Sequence, residues 1–85
     1  MTKIDKLIAR LLAKPKDLTF DELVAIFKSF GFEVGNKGKT SGSRVEFYSE
    51  ELDISFYTHK PHPSSIVKSY VIKEVIVFLK EKELL

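Results

Sequence analysis

Residues 43–58 constrain the fold most. Ser43 to Ser49 alternates, with Val45 and Phe47 on one face of an extended chain and Arg44, Glu46 and Tyr48 on the other. Asp53 to Thr58 alternates in the same way, Ile54 and Phe56 against Ser55 and Tyr57. The polar link Ser49-Glu50-Glu51-Leu52 makes the two runs a β-hairpin. A sheet with one apolar face has to be covered, so the cover must come from the sequence on either side.

Both flanks offer amphipathic helices. From Lys3 to Lys14 the residues Ile4, Leu7, Ile8, Leu11 and Leu12 fall on one helical stripe, with Thr2 as N-cap and Pro15 as the stop. A second helix begins with a capping-box pattern, Thr19 with Glu22, inside a Leu18/Leu23 hydrophobic staple. Phe20, Leu23, Val24, Phe27 and Phe30 form its apolar face, and Gly31 supplies the left-handed residue after it. A short strand over about Phe32 to Gly35 and a glycine-rich turn then lead into the hairpin. Val71, Ile72, Val75, Ile76, Phe78 and Leu79 define a closing helix, chosen over a strand by length and by the polar face of Lys73, Glu74, Lys80 and Glu81. The expected order is α-α-β-β-β-α, a two-layer α+β sandwich in one domain over residues 1–85, with 1–14 as an N-terminal helical extension and 19–85 as the core. Phe20, Phe27, Phe30, Phe47, Phe56 and Phe78 are assigned to its interior.

Size and composition bound the function. A chain of 85 residues buries roughly 60–65% of its extended surface, enough for a core and a surface groove but not for a deep enclosed pocket. Without cysteine there is neither a disulfide framework nor a thiolate zinc site, and two histidines make a weak metal case, so no cofactor is expected. The longest unbroken apolar run, Val75 to Leu79, is far short of a membrane span, and no signal-peptide core opens the chain, which reads as a cytoplasmic protein.

The net charge of +2, from 14 basic and 12 acidic residues, says less than its distribution. No acid occurs from Val34 to Val45 or from Ile54 to Lys73, whereas Glu46, Glu50, Glu51 and Asp53 gather in the hairpin. The acid-free segments carry Lys37, Lys39, Arg44, Lys60, Lys68 and Lys73, a local positive field suited to a phosphate backbone or, equally, an ordinary solvated lysine surface. Gly38-Lys39-Thr40 looks like the end of a phosphate-binding P-loop, but Glu33 stands where the required glycine belongs and a strand follows, so that motif is rejected. Tyr48 and Tyr57 face the polar side of the hairpin, where they cover the sheet surface or stack on bases.

From Thr19 to Leu85 the order of motifs resembles the HicA family of toxins, YcfA-like mRNA interferases with a double-stranded-RNA-binding-domain-like (dsRBD-like) fold. The residues that carry the resemblance are the capped helix ending Phe30-Gly31-Phe32, then Lys39-Thr40-Ser41-Gly42-Ser43-Arg44, the hairpin, His62-Pro63, and a closing helix ending Lys-Glu-Lys-Glu-Leu-Leu. The resemblance implies an endoribonuclease that cleaves mRNA without metal and is neutralised by a HicB-like antitoxin. One departure stands out: the residue after Gly-Ser is typically a histidine thought to carry catalysis, and here it is Arg44. Arginine is no general base, but it holds a phosphate bidentately and neutralises a phosphorane. Proton transfer then falls to His62 or His59, since imidazoles titrate near neutral pH. Arg44 and His62 are the candidate catalytic residues, and Lys39, Ser43, His59, Lys60 and Lys68 the candidate RNA contacts. Three readings follow: a cleaving toxin, an RNA-binding module that lacks catalysis because of Arg44, and a protein-interaction domain. In the bland alternative both histidines merely shape a proline-rich strand exit.

Overall fold

Thr19 opens the helix around which the rest is arranged. Its hydroxyl accepts from the backbone N–H of Glu22 at 3.1 Å, and the Glu22 carboxylate accepts from the Thr19 N–H at 3.0 Å, closing the capping box. Leu18 and Leu23 are buried on either side of it, as a staple requires. The helix α2 (Phe20–Ser29) ends before Gly31, whose φ of 88° is the left-handed turn that glycine adopts without steric cost.

The computed structural model describes residues 3–35, 44–61 and 64–85. Besides α2 these form α1 (Lys3–Leu12), β1 (Glu33–Gly35), β2 (Arg44–Ser49), β3 (Ile54–His59) and α3 (Ser69–Glu81). The strands make an antiparallel sheet in the order β1-β2-β3, with β2 central. The fold is α+β, three helices with a three-stranded sheet, compatible with a dsRBD-like arrangement. Strand β3 spans Ile54–His59 where Asp53–Thr58 is expected, and Ser43, the expected first residue of the strand before it, lies outside the described residues. Thr2, the expected N-cap of α1, lies outside the described residues.

The helices cover the face that carries Val45, Phe47 and Phe56. Phe27 of α2 stacks on Phe47 of β2 with centroids 4.1 Å apart, and Phe78 of α3 meets Phe56 of β3 at 5.0 Å. Six phenylalanines are expected inside, but Phe30 and Phe78 are only half-buried and pack against the core from its margin. On α1 the expected stripe narrows. Leu11 is fully buried and Leu7 and Ile8 pack against the core, whereas Leu12 is 43% exposed, because the stripe is wider than the groove that α2 and α3 present to it.

Arg10 fastens α1 in place. Its guanidinium donates to Asp17 at 2.7 Å and to Glu22, so one side chain joins α1, the connecting loop and the capping box of α2. The Thr19 backbone N–H, ahead of Arg10, holds the Glu22 carboxyl below its ordinary value of 4.5. A depressed carboxyl stabilises the fold above its unfolded pKa and loses that contribution as pH falls through the native one. Glu22→Gln is therefore expected to cost about 0.5–1 kcal/mol at pH 7, with the difference from wild type shrinking as pH falls below 4.5. Urea unfolding of both proteins across that range measures it, and a pH-independent difference would remove the ionised carboxylate from the account.

Candidate nucleic-acid interface

Cross-strand register decides which of the expected site residues meet. Arg44 is the direct partner of His59, Glu46 of Tyr57, and Tyr48 of Ser55, so these six side chains share the sheet face opposite the helices. The Arg44 guanidinium carbon lies 5.1 Å from the centre of the Tyr57 ring, a cation–π contact. The Tyr57 hydroxyl in turn donates to Glu46 Oε2 at 3.1 Å, and the Ser55 hydroxyl donates to the same oxygen at 2.8 Å. The carboxylate thus anchors the ring on which the arginine rests.

Glu46 is the residue that sequence reasoning missed. It is only 7% exposed on a face that alternation marks as polar, and charged groups are buried at such sites only with partners. The signal was present in the spacing, because a carboxylate in a central strand opposite a tyrosine and diagonal to a serine has two hydroxyl donors within reach. Nearby, partial burial and then the Asp53 carboxylate push the Tyr48 phenol above its ordinary value, with a 3.4 Å contact from its hydroxyl to Asp53.

Lys60 takes the other side of the sheet. Its ammonium lies 5.9 Å from the centre of the Phe20 ring, whereas Arg44 has His59 as its cross-strand partner. The physical reason is alternation: the residue after His59 turns toward the helices. There Lys60 lines a cavity of about 220 Å³ between the end of β3 and the start of α3, together with His59, Lys68, Tyr70, Thr58 and Phe20. His59 therefore belongs to both places, partnering Arg44 and lining the cavity. Lys39, Ser43 and His62 lie outside the described residues.

Backbone pairing forms the cavity wall. The Phe20 N–H donates to the Ser65 carbonyl and the Val67 N–H to the Leu18 carbonyl, each at 2.8 Å, around a Thr19–Ile66 bridge. These bonds hold the segment before α3 against the start of α2. Lys68 caps α3 without a side-chain cap bond, and the first turn of that helix carries no acid. The positive end of the α3 dipole is therefore not offset by an acid in its own first turn.

A family model described as HicA toxin of bacterial toxin–antitoxin matches residues 20–82. The chain belongs to the HicA toxin family. Its role is that of the toxin of a toxin–antitoxin pair. The match takes in α2 through α3 and both faces of the site, and leaves α1 outside. No curated protein and no solved structure matches this HicA-family chain significantly. Among the described residues no three His, Cys, Asp or Glu side chains are grouped to hold a metal ion, and no helix is long and apolar enough to cross a membrane.

Removing the Glu46 carboxylate strips the Ser55 and Tyr57 hydroxyls of a charged acceptor. Glu46→Ala is expected to destabilise the protein by about 1–3 kcal/mol, while Tyr57→Phe, which keeps the ring under Arg44, costs about 0.5–1.5 kcal/mol. Chemical denaturation of the two variants tests this. A neutral Glu46→Ala would show that the network contributes nothing to the fold.

Proposed function

We propose that this HicA-family toxin binds single-stranded mRNA and cleaves it, and that a HicB-like antitoxin silences it by covering the edge where Arg44 and His59 meet. The observation that carries the reading is the register pair itself. At the family's histidine position this chain has a permanent cation, and an imidazole stands directly across from it on the neighbouring strand. Family membership supports the toxin role, and the lysines around the cavity support a polyanionic ligand.

Cleavage by transesterification requires three services. A base takes the proton of the ribose 2′-hydroxyl as its oxygen attacks phosphorus, a cation stabilises the phosphorane, and an acid protonates the departing 5′-oxygen. Arg44, steadied by Tyr57 and Glu46, is the cation. His59 and His62 are the imidazoles for base and acid, with His59 beside the scissile phosphate because it partners Arg44. The product is a 2′,3′-cyclic phosphate and a free 5′-hydroxyl, so the protons balance without another reactant. A second reading, an RNA-binding module that does not cut, is favoured by the loss of the usual histidine to Arg44. Wild-type binding without any cleavage would select it.

His59→Ala and His62→Ala are each expected to lower cleavage by about 10²–10⁴-fold, and Arg44→Ala to lower it through lost phosphate stabilisation. Gel assays on labelled RNA measure this, and unchanged cleavage in both histidine variants would defeat the imidazole mechanism. Affinity should also respond to salt. Four phosphate contacts, from Lys39, Arg44, Lys60 and Lys68, correspond to a slope of about −2.8 in log affinity against log salt, or roughly 50-fold weaker binding between 50 and 200 mM. A flat response would leave protein interaction as the function.

A further inference from the structure

We infer that the cavity between the end of β3 and the start of α3 is a nucleobase pocket, which takes one base of single-stranded RNA while the flanking phosphates lie on Lys60 and Lys68. This rests on the RNA reading and adds what the protein recognises besides charge. At about 220 Å³ the cavity is smaller than the roughly 300–1,000 Å³ that encloses a drug-sized ligand, and it suits a single flat ring system. Its floor is apolar, built from Phe20, Val67 and Val71, all buried. Among the described residues no carboxylate lines it, while Lys60 and Lys68 do.

Two aromatic rings complete the site. Phe20 and Tyr70 both line the cavity, and Tyr70 is 57% exposed. Every base has a π-face that stacks on such rings, which is how single strands are held independently of base pairing. The Lys60 ammonium now lies over Phe20. A base entering the cavity takes that ring face, and the displaced ammonium moves out to the adjoining phosphate. Thr58, 9% exposed and lining the cavity, offers a hydroxyl to the edge of the base. His59 lines the same cavity and partners Arg44, so a base seated here puts its own phosphodiester next to the proposed scissile position. The pocket would therefore choose the nucleotide at which cleavage occurs.

The test is an NMR titration of the full chain with the four nucleoside 3′-monophosphates, with ribose 5-phosphate and inorganic phosphate as base-free controls. At least one nucleotide is expected to shift the amides of Thr58, Lys68, Tyr70 and Val71 and to bind at least tenfold more tightly than either control. Tyr70→Ala should weaken that nucleotide roughly 5- to 150-fold, the usual range for one base–aromatic stack, whereas Tyr70→Phe keeps it. Thermal unfolding confirms that both variants are folded. Equal binding of nucleotide and inorganic phosphate, or indifference to Tyr70→Ala, overturns the base pocket. Salt-dependent binding of an RNA oligonucleotide is measured alongside. Oligonucleotide binding with no mononucleotide in the cavity overturns the pocket and leaves the RNA reading standing, and nucleotide binding without oligonucleotide binding does the reverse.

Discussion

The stack of Phe27 on Phe47 determines where everything else can be. Both rings are fully buried, 4.1 Å apart and within 12° of parallel, and they join the middle of α2 to the central strand. Phe56 on the next strand packs on the same Phe27 ring at 5.6 Å, and Phe32, just past the helix, meets it edge-on at 5.2 Å. A ring held on three sides leaves α2 little freedom to slide or rotate over the sheet. Two turns earlier on the same helix, Phe20 is thereby carried to the end of β3, where it becomes the floor of the cavity.

The seam beside that cavity is a second consequence of the same placement. With Phe20 at the end of β3, the backbone of residues 18–20 lies open to pairing, and residues 65–67 take it up. A cavity bounded by a strand end, a helix start and a short paired segment is the kind of concavity that a chain of this size can build. An enclosed interior pocket would demand more core than 85 residues supply. On the outer face the sheet supports a different arrangement, a polar one, in which Glu46 ties Ser55 and Tyr57 together and Arg44 rests on the tyrosine ring. The two arrangements meet at His59.

That division gives the RNA reading a shape. Arg44 lies on the outer face and the two lysines on the inner side of the β3 edge, so a strand that contacts all three has to pass around that edge with His59 at the bend. An antitoxin that covers the same edge would block both sides at once. The α1 helix, outside the family match, contributes none of the described residues that line the cavity and is joined by Arg10 to the cap of α2.

Period and punctuation in the sequence were enough to define the elements. Alternation from Val45 to Phe56, the Thr19–Glu22 box and Gly31 are local signals, and each corresponds to a feature whose geometry depends on neighbours within a few residues. The motif order was likewise sufficient for the family, and alternation placed Arg44 and Tyr57 on the polar face. What the tertiary structure decided was adjacency. Arg44 faces His59 rather than Lys60, because the hairpin register fixes the strand partner and alternation sends the next residue to the other side. Glu46 is buried where two hydroxyls from another strand reach it, and Tyr70 lines a cavity because backbone bonds between residues 18–20 and 65–67 hold the start of α2 beside the start of α3. A linear sequence specifies which way each side chain points along its own element, whereas the contacts between elements depend on how whole faces pack, and that is where this site is made.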